Sequence, residues 1–301
     1  MNSIKKMMLS GALGCLISGM AYADGSSPQP VKPYWQDIQV VAVNKEKPRS
    51  SFMSYADRET ALTSRFEKSP YYSLLNGTWK FFFVDSYKDL PQNITDPSVN
   101  TSSWDDITVP GNWEVQGHGV AIYTNHGYEF KPKNPQPPLL PEANPVGVYR
   151  RDIEIPANWD NRDIYLHIGG AKSGLYVYLN GKEVGYSEDS KNPAEFLINK
   201  YLQPGKNVLT LKIFRWSTGS YLECQDFWRM SGIERDVFLW SQPKASIQDF
   251  RVVSTLDDTY TNGIFKLAVD LKNHTQETKN LNVGYELLDA KGNLVASEAN
   301  D

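Results

Sequence analysis

The sequence predicts an all-β protein: a jelly-roll β-sandwich followed by a truncated immunoglobulin-like β-sandwich. Three observations carry this. Short runs of alternating apolar residues recur between turn signals, as in Leu175, Val177 and Leu179 ahead of Asn180-Gly181. No amphipathic helical pattern lasts more than a few turns. Aromatic residues make up 12% of the chain, with 17 Tyr and 8 Trp, which suits a β-rich core and a carbohydrate-contacting surface alike.

At 301 residues the chain has room for roughly two domains. A net charge of −4 and a pI near 5.7 argue against a nucleic-acid binder or a polybasic membrane attachment. Residues 1–23 have the pattern of a secretory signal: Lys5 and Lys6, an apolar run from Met7 to Met20, then Ala21-Tyr22-Ala23. The run is short for a membrane span, so an exported, periplasmic or secreted protein is expected. Cys15, behind Ala-Leu-Gly, offers lipidation as the alternative. After cleavage only Cys224 remains, so neither an intrachain disulfide nor a cysteine-based zinc site is expected. The four histidines lack HExxH spacing, and His167, within a strand pattern, reads as structural.

Residues 24–60 are polar and broken by Pro28, Pro30, Pro33 and Pro48, as in an extended arm laid over another surface, with Trp35 and Tyr55 as anchors. Asn76-Gly77 leads into the apolar strand Thr78–Val84, and residues 85–103 form a polar insertion. Six prolines between 131 and 145 demand an irregular loop. Strand patterns follow at Tyr149–Ile155, Ile164–Ile168, Leu175–Leu179, Val184–Tyr186, Val208–Phe214 and Asp236–Trp240. Short strands with long decorated loops give the jelly roll, residues 61–243. After Pro243, Phe265, Leu267, Val269 and Leu271 alternate, as do Leu281, Val283, Tyr285 and Leu287. Residues 244–301 are too few for the seven strands of an immunoglobulin-like domain, so a partial one is expected.

Three clusters carry polar chemistry. The stretch Trp216–Val237 (WSTGSYLECQDFWRMSGIERDV) mixes Glu223, Asp226, Asp236, Arg229 and Arg235 with several rings. Rings that stack on a pyranose beside acceptors for its hydroxyls are what a sugar surface needs. Asp226, between Gln225 and Phe227, suits a hard cation and a sugar hydroxyl, or an internal pair with Arg229 or Arg235. Arg235 and Asp236 read as a structural pair at a strand start. The second cluster is Pro110-Gly-Asn-Trp-Glu114 followed by Ala121-Ile-Tyr-Thr-Asn125, where the Asn125 amide either meets two adjacent sugar hydroxyls or holds a turn. The third, Gly181–Ser190 with Glu195-Phe196, reads as a sheet rim with capped turns.

Trp216–Val237 is similar to the segment that closes the sugar-binding domain of glycoside hydrolase family 2 β-galactosidases. The resemblance continues through LNGTWKF (Leu75–Phe81), GNWEVQGHGVAIYTN (Gly111–Asn125), NPVGVYRRDIEIP (Asn144–Pro156) and LNGKEVGYSEDSKNPAEF (Leu179–Phe196). It implies a galactose-binding-like jelly roll, an immunoglobulin-like domain, and then a catalytic (β/α)8 barrel that supplies two glutamates for a retaining mechanism. It also implies that Asn125 contacts galactosyl hydroxyls and that Asp226 ligates sodium and the galactose. Thr218 and Cys224 stand where relatives carry acidic residues. No catalytic glutamate is assigned in this chain, and the magnesium site would lie with the barrel. The resemblance further implies that the arm contributes to subunit contacts. The sequence thus predicts the N-terminal, non-catalytic part of an exported β-galactosidase, needing the barrel in cis or in trans. A free-standing secreted carbohydrate-binding module is the alternative, and the half-built second sandwich argues against it.

Overall fold

The structure, a computed structural model, describes residues 32–130 and 134–300. The expected signal, residues 1–23 with Cys15, lies outside the described residues.

Two antiparallel sheets share one core. The larger has seven strands, in the order Ala42–Val43, Lys182–Ser187, Gly174–Leu179, Lys206–Phe214, Val146–Glu154, Gly77–Val84 and Asp105–Val109. The smaller runs Ala194–Leu197, Arg162–Ile168, Val237–Pro243, Tyr72–Leu74. Alternation decides which side chains meet between them. Trp79, Phe81, Tyr149, Val177 and Leu211 come from one sheet, and Ile164, Leu166, Phe196 and Leu239 from the other. The Asn180-Gly181 turn is left-handed at both residues, with φ of 53° and 77°, as a type I′ hairpin requires. Its Asn180 side chain also accepts from Val208 N at 2.9 Å, tying this turn to the next strand.

Both outer faces are apolar too, because other parts of the chain cover them. Val146, Val148, Tyr176, Tyr186 and Phe214 on the outside of the larger sheet are buried with Trp35 of the arm, with Ile94 of the insertion and with Trp104 just after it. Trp35 stacks on Phe214 with centroids 5.0 Å apart. On the smaller sheet, Tyr165, Phe238 and Trp240 are buried with Met53, and Tyr55 packs against them.

The arm is therefore woven into the sandwich. Ala42 and Val43 pair with Ser187 and Tyr186 as an edge strand. Gly185 permits this approach, since a Cβ there would stand 2.3 Å from Val43 O. Further along, Arg49 donates through Nε and Nη2 to the two Glu195 oxygens, each at 2.9 Å, with its guanidinium 4.3 Å over the Trp240 ring. His167 Nδ1 lies 2.8 Å from the same carboxylate, and the ring stacks on Phe238.

Beyond Pro243 the chain forms two hairpins, Ala245–Leu256 with Gly263–Asn273 and Val283–Leu288 with Leu294–Asn300. Their apolar sides meet at Phe265 and Tyr285, with ring centroids 5.3 Å apart. Lys272 and His274 reach back to the buried Asp163, at 3.2 Å and 2.8 Å.

Candidate functional site

Strands Ile122–Thr124 and Phe227–Arg229 make a two-stranded ribbon in which Thr124 faces Phe227, Tyr123 faces Trp228, and Ile122 faces Arg229. Alternation splits the ribbon into two sides. Arg229 points inward and is only 1% exposed, whereas Tyr123 and Trp228 point outward at 56% and 53%. Asn125 follows Thr124, and Asp226 precedes Phe227, so these two exposed residues flank the same terminal pair of the ladder. Tyr123 Oη donates to Asp226 Oδ1 at 2.8 Å, and the Tyr123 and Trp228 rings lie 5.7 Å apart. Asn125 Oδ1 is 2.7 Å from His126 Nδ1. One face of the ribbon thus carries two rings and an acceptor-only carboxylate, with an amide at the same end.

The side behind the ribbon is charged and closed. Arg229 Nη1 donates to Glu223 O at 2.9 Å, and its Nε stands 3.9 Å from Glu129 Oε2. Glu129 also receives Trp216 Nε1 at 3.1 Å and has Lys172 Nζ at 3.9 Å. Phe227 is flanked by the cationic groups of Lys191 and Arg229, each 5.1 Å from its centroid, and of Lys172 at 5.8 Å. Burial pulls the Lys172 ammonium down, against the pull of Glu129 and Glu223. Beside this layer, Ser231 N donates to both oxygens of Glu114, and Arg215 Nη1 is 3.7 Å from that carboxylate. Opposite charges thus lie close together behind the ribbon, although Arg229 Nε, Arg215 Nε and Ser231 Oγ make no hydrogen bond of their own.

Two further carboxylates fix the loop that carries Asp226. Glu188 Oε2 accepts from Gly219 N at 2.6 Å and from Thr218 Oγ1 at 2.8 Å, while Oε1 accepts from Tyr186 Oη at 2.8 Å. Glu223 accepts from Ser190 N at 2.9 Å and Ser190 Oγ at 2.6 Å. Burial raises both carboxyls above the ordinary range.

Several expectations change at this point. Asp226 does not pair with Arg229, which is taken up behind the ribbon, nor with Arg235, whose Nη2 donates to Lys191 O. The expected Arg235–Asp236 pair is not formed either: Asp236 Oδ1 accepts from Asn76 Nδ2 at 2.7 Å, across the strand start. Trp216 and Tyr221 are interior residues, so Trp228 is the large ring that this stretch presents outward. Glu188 and Glu195 hold the rim together from inside. Tyr123 was not singled out from the sequence, although its two-residue spacing from Asn125 within AIYTN would put both on one side of an extended segment.

Residues 72–243 match the family model described as glycosyl hydrolases family 2, sugar binding domain. The chain belongs to glycoside hydrolase family 2. It is 39% identical over 267 residues to a protein named beta-galactosidase from Priestia megaterium, covering 87% of this chain and 26% of that one. It is 37% identical over 243 residues to another of that name from Psychromonas ingrahamii, covering 81% and 23%. This family 2 chain therefore spans about a quarter of the length of the curated relatives it matches. The fold is shared with the solved Bacteroides uniformis beta-glucuronidase, at a TM-score of 0.61 and 20% identity over 76% of this chain and 25% of that one. A beta-glycosidase from Bacteroides vulgatus shares it at a TM-score of 0.57 and 22% identity, over 76% and 27%.

Proposed function

We propose that this chain is the sugar-recognition part of an exported β-galactosidase, binding the terminal galactosyl unit of a β-galactoside through Asn125 and Asp226. The observation that carries this reading is their common place at the open end of the ribbon, in a chain 39% identical to a protein named beta-galactosidase. An amide supplies one acceptor and two donors and a carboxylate supplies acceptors only, a set that suits neighbouring sugar hydroxyls.

Retaining hydrolysis needs two carboxyl groups about 5–5.5 Å apart across the glycosidic bond. On the ribbon face Asp226 stands as the one carboxylate, while Glu114, Glu129, Glu188 and Glu223 are bound to neighbouring groups inside the protein. In our reading the catalytic pair comes from a (β/α)8 barrel, joined in cis or in trans, together with the magnesium site of the complete enzyme. The described residues contain a single α-helix, Arg58–Leu62, and no such barrel.

Sodium at Asp226 belongs to the same proposal. A carboxylate oxygen is the right donor for a hard cation, and Oδ1 already has Tyr123 Oη beside it. No cluster of three His, Cys, Asp or Glu surrounds it among the described residues, so most ligands would be hydroxyls, carbonyls or water from elsewhere. Sodium-23 relaxation that loses its protein-dependent broadening in Asp226→Asn would support the role; unchanged broadening would remove it. Export rests on residues 1–23, and no described helix is long and apolar enough to cross a membrane.

The deciding experiment is calorimetric titration of the purified chain with methyl β-galactoside, beside an assay with an aryl β-galactoside. Binding without turnover is expected. Turnover that disappears in Asp226→Ala, or a complete lack of galactoside binding, would overturn the reading.

A further inference from the structure

We propose that Tyr123 and Trp228 form a stacking platform for the apolar face of a galacto-configured pyranose, and that they set the preference for this sugar over its gluco epimer. The inference rests on the sugar-binding reading above and extends it to the rings of two residues that the reading leaves unused.

Large rings on a folded surface need a reason to stay in water, and here both stay more than half exposed. Most other rings nearby found partners: Trp216, Tyr221 and Trp113 are buried. Tyr123 and Trp228 sit opposite each other in the ladder, and their planes are tilted by 57° with centroids 5.7 Å apart. Two rings in this relation make an open V, with one wall to lie under a flat apolar face and the other to meet its edge. The V cannot collapse, because the ladder fixes both backbones, Tyr123 Oη is held by Asp226, and Arg229 and Phe227 are locked behind it. The ordering is in place before any ligand arrives.

The chemistry at the end of the V selects the occupant. A polypeptide docking on two rings would bury Asp226 among apolar groups, and no cation of the described residues pairs with that carboxylate to offset the loss of water. A pyranose places hydroxyls there instead. In a galacto sugar the axial 4-hydroxyl leaves C3–H, C4–H and C5–H together on one face, a continuous apolar patch about the size of a ring. In the gluco epimer C4–H turns to the opposite face and the patch is broken. The platform therefore discriminates through carbon–hydrogen contact, while Asn125 and Asp226 hold hydroxyls.

The test is calorimetric titration of the full chain with methyl β-galactoside and methyl β-glucoside, in the parent protein and in Trp228→Ala, Trp228→Phe, Tyr123→Phe and Asp226→Ala. Trp228→Ala is expected to weaken galactoside binding about tenfold and to lower the galacto-to-gluco ratio. Trp228→Phe restores most of both, and Tyr123→Phe keeps the ratio while losing the hydroxyl contact. The near-ultraviolet circular dichroism should stay that of a folded protein throughout, since both rings are at the surface. Unchanged galactoside affinity in Trp228→Ala, alongside lost affinity in Asp226→Ala, would overturn the platform and leave the sugar site standing. A parent protein that binds neither glycoside would overturn both.

Discussion

Glu188 and Glu223 each cap the loop to which the other belongs. Glu188 takes Gly219 N and Thr218 Oγ1 from the loop ahead of Glu223, and Glu223 takes Ser190 N and Oγ from the loop just after Glu188. Asp226 follows three positions beyond this double closure, so the exposed carboxylate hangs from a loop pinned at its base.

Replacing either acid by glutamine turns one acceptor into a donor facing a donor, which should cost about 1–3 kcal/mol. Hydrogen exchange at the Ser190 and Gly219 amides should speed up in both variants. The pH dependence has a definite sign. Burial raises both carboxyls, so the native form holds its protons to higher pH than the unfolded chain. Stability contributed by these groups falls as pH rises from about 4.3 through the raised native values. Chemical denaturation across that range should show a shallower decline in the doubly substituted protein; identical slopes would contradict the assignment.

The Arg49–Glu195 pair behaves in the opposite sense. Burial alone would push the Glu195 carboxyl up, but the hydrogen bond from His167 and the charge of Arg49 outweigh it and hold it low. Its stabilisation is therefore present above the unfolded value near 4.3 and is lost as pH falls through the depressed native value. Arg49→Ala leaves a buried carboxylate without its cation, at about 3–5 kcal/mol. Limited proteolysis should then cut residues 44–52 first, and taking the parent chain below the unfolded value near pH 4.3 should produce the same cut.

Gly185→Ala should displace the arm by crowding. The added carbon would stand 2.3 Å from Val43 O and 2.7 Å from the Phe196 ring, so the arm's edge strand or the core has to move. The expected cost is at least the roughly 1–3 kcal/mol of an overpacked core, with faster exchange at residues 42–43. A melting temperature equal to the parent's would refute this.

Asp226→Asn separates binding from stability. The side chain is exposed and its hydrogen bond is to an exposed tyrosine, so stability should stay within about 0.5 kcal/mol of the parent. Loss of a charged acceptor should weaken a galactoside by about 2 kcal/mol, roughly thirtyfold. Equal affinity in the two proteins would remove Asp226 from the site.

The strands were legible because their alternation is local, and the turn at Asn180-Gly181 announces its own geometry. What covers the sheets was not. Tyr176 and Tyr178 alternate with Leu175, Val177 and Leu179, which signals a second buried face but not that Trp35 and Trp104 complete it from distant positions. Asn125 and Asp226 were singled out from their neighbours in sequence and from the resemblance, and only the ladder brings them to one end of one ribbon. Glutamates that cap a remote loop look the same in sequence as solvated ones, since burial depends on how loops thirty residues apart pack. For the same reason adjacent Arg235 and Asp236 suggested a pair, while the fold sends them to different neighbours.

The woven arm also orders events in time. Arg49 and Glu195 are 146 positions apart, and Trp240, under the Arg49 guanidinium, is later still. The first part of the sandwich to leave the ribosome is thus the last to find its place. Trp35 has no complete surface to cover until Phe214 has been made, and Met53 none until Trp240 has been made. Docking of residues 33–53 is then the act that finishes the domain.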